Sequence, residues 1–481
     1  MKHTRLVLLT LFALILAARL CHLDILWAEE TLPLAAAAQM MHGKVLYRDI
    51  WFDKPPLLAF AYLAWGARDG LPLRLAGALY AMLACGIAFF FAHDLWGRRE
   101  ALWAAGLLGF YLVFDIPSAV TPLAADLLML APHLGAIWLA WRGRTFGSGV
   151  LAGIAFLVNA KGALVLAACA LLDLGALPVL LVGFAIPNAL ALVLLWGQGA
   201  LGAYFEQVWK WGRLYAAGTF VVNPLSNALL RTAHWLGFHA AAVIGALWFW
   251  WRDPKARRLR WIGWAVVSSL AVAAGWRFFP RYYFQLLPLA AMAGARGLAL
   301  MGRRRALAVS ALLVIPLLRF GPRYALLARD LVEGRPHHWV DVGMDQDSRQ
   351  AAQLALQWGG PGGTLFVWGF RPELYTYTGL AAASRFLDSQ PLTGVPADRH
   401  LTQSQPVETQ STRAHRDELT RAHPTLILDG LGPLNPHLAI GSFADLRPWL
   451  AQYQEVAKTG LTVIYKRKSE ADFQTVQTGL Q

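Results

Sequence analysis

Apolar runs of membrane length recur through the first two thirds of the chain, separated by short basic clusters, and give way to a polar tail. A helix needs about 20 apolar residues to cross the hydrocarbon core. The first such run, residues 6–20, follows Lys2, His3 and Arg5. Clusters of arginine and lysine mark the cytoplasmic side of a polytopic chain. Here they are Arg98-Arg99, Arg142 with Arg144, the stretch from Arg252 to Arg260, and Arg303-Arg304-Arg305. Placing all of them on one side predicts about eleven spans. These are residues 5–21, about 73–93, 100–115 and 120–141, three crossings within 147–196, about 228–251, a ninth, about 282–300, and a last ending near Phe320. Residues 22–72 and the tail from about residue 322 then share the exported side. Cys21 closes a run resembling a signal peptide, but Leu20 stands where lipoprotein processing wants a small residue, so residues 5–21 are read as an uncleaved span.

Two apolar stretches are too short to span. Residues 57–67, followed by Arg68-Asp69-Gly70, and the aromatic run from Tyr204 to Trp211 both suit helices lying in the interface. Both fall on the exported face, which suggests a site there. In the tail, 364–369, 425–429 and 461–465 are rich in β-branched and aromatic residues and predict strands. Residues 346–358, 409–422 and 443–454 predict helices. The division expected is therefore a membrane domain over 1–321 and a small α/β domain over 322–481.

Composition agrees with this division. The chain is 57% hydrophobic and 15% charged, outside the range of ordinary soluble proteins. Its net charge of +14 lies in the loop clusters rather than in a stripe, so it is an orientation signal and not a nucleic-acid surface. The three cysteines, Cys21, Cys85 and Cys169, sit in or beside apolar runs and supply neither a disulfide framework nor a thiol-rich metal site. No Walker loop, dinucleotide fingerprint, HExxH motif or internal repeat is present.

The chemistry concentrates behind the first span. Glu29-Glu30 opens an amphipathic run over 31–43, followed by Gly43, Tyr47 and Asp53-Lys54-Pro55-Pro56. Acids at the lip of a bilayer are costly and mark a functional site, although first-turn acids also favour a helix N-terminus through its dipole. Asp126 lies inside an apolar run near the exported end of the fourth span, where it is either a second acid or half of an ion pair with Arg74 or Lys161. Asp115 is a lesser candidate, and His133 is on Asp126's side of the helix and suits a core position. Lys54, Arg277, Arg281 and Lys161 are candidate cations for an anionic group, or else arginines and lysines reaching to the headgroups.

The segment from Glu29 to Pro56 resembles the first exported loop of the GT-C glycosyltransferases. Within them it is similar to glycosyltransferase family 39, the protein O-mannosyltransferase and aminoarabinose lipid A transferase group. Those loops read acid-acid, helix, Gly…Tyr, Lys-Pro-Pro; Glu29 stands where the family usually has Asp. Weaker likeness extends over 115–162 and over Trp276–Pro288, where many relatives have His in place of Arg281. The resemblance implies an all-α polytopic GT-C membrane domain with an extracytoplasmic α/β tail. It implies inverting transfer of a sugar from a polyprenyl-phosphate donor to a lipid, protein or glycan acceptor. Glu29 or Glu30 is the implied base, Asp126 the second acid, and Lys54, Arg281, Arg277 and Lys161 the grip on the donor phosphate. No cofactor is implied, and a divalent ion is not excluded. The expected location is a bacterial-type cytoplasmic membrane with the tail in the periplasm, among membrane lipids and without nucleic acid. The rival readings are a transporter or flippase of a lipid-linked sugar and a non-catalytic envelope scaffold. A transporter favours repeat symmetry and polar groups at the midplane, whereas here the polar groups gather at one face.

Overall fold

The computed structural model describes residues 2–217, 223–253, 258–337, 339, 342–360 and 362–469. The described residues are mostly helical, with one small sheet near the C-terminal end. Among the described residues three helices are long and apolar enough to cross a membrane: Gly70–Trp96, Leu174–Gly197 and Arg303–Glu333. Shorter apolar helices, among them Ala125–Trp141, Thr145–Val158, Gly162–Leu172 and Leu287–Leu300, pack with them. In lipid, helices gain little from burying apolar surface and associate through close backbone contact at small residues. Two helix pairs show this. A Cβ on Gly297 would collide with the Gly245 carbonyl where Leu287–Leu300 meets Ala240–Arg252. A Cβ on Gly183 would collide with the Phe146 carbonyl where Leu177–Gly197 meets Thr145–Val158.

Several expected segments are interrupted. A short turn of helix, Pro117–Val120, ends where the run 120–141 begins, and the helix Ala125–Trp141 follows only after a gap. Pro122 stands between them and breaks the ladder because it has no N–H to donate. The break leaves Asp126 in the first turn of the second helix. The stretch 228–251 divides at His239 into Pro224–Phe238 and Ala240–Arg252. The run 282–300 begins as a 3-10 helix, Pro280–Gln285, before the helix Leu287–Leu300. The last long helix continues past residue 321 to Glu333, where Gly334 closes it in the left-handed conformation with φ 63°. The short helix Pro56–Leu63 overlaps the stretch 57–67 read as interfacial.

The tail folds into a five-stranded mixed sheet: β1 Thr364–Trp368, β2 Ala381–Ala382, β3 Leu426–Asp429, β4 Tyr453–Lys458 and β5 Val463–Arg467. The order is β2-β1-β3-β5-β4, with β1 parallel to β2 and β3, and β5 antiparallel to β3 and β4. The helix read over 443–454 is not formed: only Arg447–Leu450 is helical, and Tyr453 starts β4. Pairing with β5 in a hairpin overrides the local helical preference there.

The sheet domain is fastened to the first loop. Gln39, on the helix Ala28–Met41, donates to the Leu380 carbonyl at 3.1 Å and accepts from the Ala382 N–H at 2.8 Å. Lys44 Nζ donates to the Ala382 carbonyl. Trp51 N–H donates to the Arg385 carbonyl at 2.6 Å, and its ring sits in the sheet domain's core against Phe386 and His415. His337, in the connection after Gly334, lies 3.0 Å from Asp24 and 3.1 Å from Asp330. Two halves that are distant in sequence therefore meet over the same loop.

Candidate active site

The first loop is shaped by its own punctuation. Gly43, with φ 84°, turns the chain after Ala28–Met41. Tyr47, fully buried, holds a left-handed φ of 68°, which is costly for a residue with a side chain. Hydrogen bonds fix it at both ends: its hydroxyl donates to the Lys54 carbonyl at 2.7 Å, and Gln207 Nε2 donates to its own carbonyl at 2.8 Å. Gln207 also accepts from Phe52 N–H at 2.8 Å and comes from a π-helical turn, Phe205–Lys210. Pro55 and Pro56 then start the helix Pro56–Leu63, where a missing N–H costs nothing.

This frame places Glu29 and Lys54 on the wall of a cavity of 810 Å³. Its membrane side includes Glu29, Asp53, Lys54, Asp126, Lys161, Arg281 and Tyr282, with Trp209 and Arg213 beside the π-helical turn. Its other side comes from the sheet domain and includes Arg371, Gln390, Asp398 and His400. The first turns of Ala28–Met41 and Ala125–Trp141 border it through Ala28, Glu29, Ala125 and Asp126. Lys161 caps the start of Gly162–Leu172. Helix N-termini favour an anion, so this wall is built for one.

Inside the cavity Arg281 joins the two acids. Its Nη1 lies 2.5 Å from Glu29 Oε1 and its Nε lies 3.7 Å from Asp126 Oδ2. Asn159 Nδ2 donates to Asp126 Oδ1 at 3.4 Å and accepts from Lys161 N–H at 3.1 Å. Lys161 Nζ is buried without a hydrogen-bond partner among the described residues and stands 3.0 Å from the Tyr282 ring centroid. Lys54 Nζ lies 2.7 Å from Asp53 Oδ2. Burial raises the Glu29 carboxyl above the usual carboxylate range, and the Arg281 guanidinium pulls it back.

Glu30, the neighbour of Glu29, stands elsewhere. It is fully buried and bound by Arg74 through two hydrogen bonds, at 3.0 and 2.8 Å, while the Leu123 N–H donates to it at 2.8 Å. Arg74 also donates to the carbonyls of His22 and Ile25. Glu30 thus ties the first loop to Gly70–Trp96, and it does not border the cavity. Arg277 is buried outside the cavity wall with its Nη1 3.0 Å from Asp398 Oδ2. Asp115 pairs with His239 at 3.5 Å, and His133 accepts from Trp264 Nε1 at 3.0 Å within the core. Among the described residues no cluster of three or more histidine, cysteine or acidic side chains is placed to hold a metal ion.

The structure thus brings Glu29, Asp126, Lys54, Arg281 and Lys161 together and keeps Glu30 and Arg277 apart from them. Sequence reading missed the sheet-domain wall and the contribution of Trp209 and Arg213. The available signal is the aromatic run 204–211, whose composition suits a headgroup anchor but whose Trp209 lines the cavity.

No family model matches this chain, and no curated protein sequence matches it. Solved structures do. ArnT from Cupriavidus metallidurans bound to undecaprenyl phosphate is similar at 15% identity with a TM-score of 0.56, covering 96% of this chain and 98% of that one. The apo state of the same protein is similar at 16% identity with a TM-score of 0.54, covering 97% and 98%. The chain therefore shares the fold of these two structures over nearly its whole length.

Proposed function

We propose that this protein is an integral-membrane glycosyltransferase that moves a sugar from a polyprenyl-phosphate donor to a lipid, protein or glycan acceptor at the extracytoplasmic face. The observation that carries this reading is the pairing of Glu29 with Arg281 in a cavity bordered by helix N-termini. Transfer to a hydroxyl or amine needs a base for the acceptor proton and positive charge on the departing phosphate. Glu29 is the base in this reading. Lys54, Arg281 and Lys161 stabilise the phosphate, and Asp126 orients Arg281 and Asn159. Glu30 and Arg277 serve as structural anchors, since each is already committed to a buried partner. Undecaprenyl phosphate on the similarly folded ArnT supports a lipid-phosphate donor.

In the same reading the helical part forms about eleven spans, with the sheet domain on the outer, periplasmic side of a bacterial-type cytoplasmic membrane. The sheet domain roofs the cavity and shapes the acceptor's approach. The test is incubation of purified full-length protein with a panel of radiolabelled polyprenyl-phosphate sugars. Wild type is expected to release label to water or acceptor from at least one donor, and Glu29→Gln to release none above background. Equal release by the two proteins would overturn the assignment.

A further inference from the structure

The proposed base and one of the phosphate cations already hold each other. Arg281 Nη1 lies 2.5 Å from Glu29 Oε1, and the same guanidinium reaches Asp126 at 3.7 Å. A carboxylate bound this closely to a guanidinium is a poor proton acceptor, because the contact stabilises its charged form. A phosphodiester matches the guanidinium fork better than a single carboxylate oxygen does. Resting on the transfer reading above, we infer that the donor's phosphate takes Arg281 away from Glu29, so that the base is released only when the donor is seated.

The charges around Glu29 make the exchange effective. Asp126 faces it from Ala125–Trp141, Arg281 and Tyr282 from Pro280–Gln285, Lys161 from the 159–161 connection, and Lys54 and Tyr62 from the segment around Pro56–Leu63. Glu30, on its own helix, is neutralised by Arg74. Burial, Glu30 and Asp126 all raise the Glu29 carboxyl, and Arg281 is the side chain that lowers it. Withdrawing Arg281 removes the larger of the two lowering influences and leaves a backbone hydrogen bond as the other, so Glu29 becomes a stronger base at the moment a base is needed. The acceptor oxygen then bonds to the anomeric carbon while the bond from that carbon to the phosphate oxygen breaks. The electron pair stays on the phosphate, and the acceptor proton passes to Glu29. The phosphate leaves as a monoester dianion held by Lys54, Lys161 and Arg281. Its departure returns Arg281 to Glu29 and expels the proton to water.

The exchange is read by calorimetry on the full chain, titrated with the methyl ester of a short-chain polyprenyl phosphate. This phosphodiester has no proton of its own to exchange near neutral pH. Heats measured in buffers of differing ionisation enthalpy should show wild type taking up a fraction of a proton per ligand bound. Glu29→Gln should take up none and bind roughly threefold to tenfold tighter, because nothing competes for Arg281. Uptake that persists unchanged in Glu29→Gln, or is absent from wild type, overturns the exchange. Should Glu29→Gln not elute as wild type does, Arg281→Gln serves, with uptake expected to fall because Glu29 has no partner to lose. Unchanged uptake there overturns the proposal equally. The transfer reading fails separately, through normal turnover of Glu29→Gln. An inactive Glu29→Gln beside a wild type that takes up no proton removes only the exchange.

Discussion

Arg74 donates to both carboxylate oxygens of Glu30, at 3.0 and 2.8 Å, and neither side chain reaches solvent. Adjacent Glu29 turns to the cavity and to Arg281 instead. Two glutamates side by side in sequence should therefore fail in different ways. Glu30→Ala strands a buried guanidinium, a lesion worth about 3–5 kcal/mol. It is expected to lower the melting temperature and the yield of monodisperse protein. Glu29→Gln is expected to elute and melt as wild type while losing roughly 10²–10⁴-fold in turnover, the range for a general base.

Lys54→Ala should separate from both. A hydrogen bond to a charged group contributes about 1.5–3 kcal/mol, so its loss should weaken donor binding by roughly 10–100-fold. Titration with donor in the absence of acceptor measures this directly. Unchanged donor affinity would remove Lys54 from the phosphate site.

Asp388 gives the sheet domain a specific pH response. Its carboxyl is buried beside Asp53 and pushed up to about 7, chiefly by burial. The unfolded value is about 3.9, so the native state binds the proton more tightly across the interval between them. The stability this contributes is complete below about pH 4 and is lost as pH rises through about 7. Asp388→Asn keeps the oxygen that accepts from Gln390 N–H at 2.8 Å and has nothing to ionise. Its melting temperature should therefore vary less than that of wild type over that interval, as thermal scans at successive pH values will measure.

Trp51 tests whether the sheet domain is held by the loop. It is 4% exposed, and removing a buried Trp side chain costs about 3–5 kcal/mol. Trp51→Ala should leave the sheet domain more readily cleaved from the helical part by limited proteolysis. Turnover should also fall, because Lys54 lies three residues further along the same loop. Cleavage at the wild-type rate would show that the other contacts suffice.

The proposed topology has its own test. A reporter fused after residue 481 is expected to give the signal of an exported domain, and one placed at Arg303 that of the cytoplasm. A cytoplasmic signal at residue 481 would invert the arrangement and put Glu29 on the wrong side for an exported reaction.

What the sequence revealed and what it hid divide along physical lines. Strands at Thr364–Trp368 and Leu426–Asp429 and the helix Gln410–Thr420 were legible because their propensities are local. The helix read over 443–454 failed because β4 is specified by its partner β5, not by its own residues. Glu29, Lys54 and Asp126 could be singled out because charged residues stand out beside apolar runs, and the structure places all three on one cavity wall. The roles of Glu30 and Arg277 were not, because these depend on Arg74, 44 residues away, and on Asp398 in the tail. Interrupted helices were equally hidden: hydropathy averages across Pro122 and His239, whereas the backbone bends there.

Gln39 presses its side-chain amide onto the outer edge of β2, supplying an acceptor and a donor where a neighbouring strand would stand. An uncovered strand edge is a template for pairing with other chains. The residues it meets lie 341 and 343 positions later in the chain. During synthesis, then, the first loop is made long before the element that completes it. The cavity that holds Glu29 has no roof until the tail has followed. Assembly order thereby acts as a timer: a chain stopped short of the sheet has its acid and its cations but no closed chamber in which to use them.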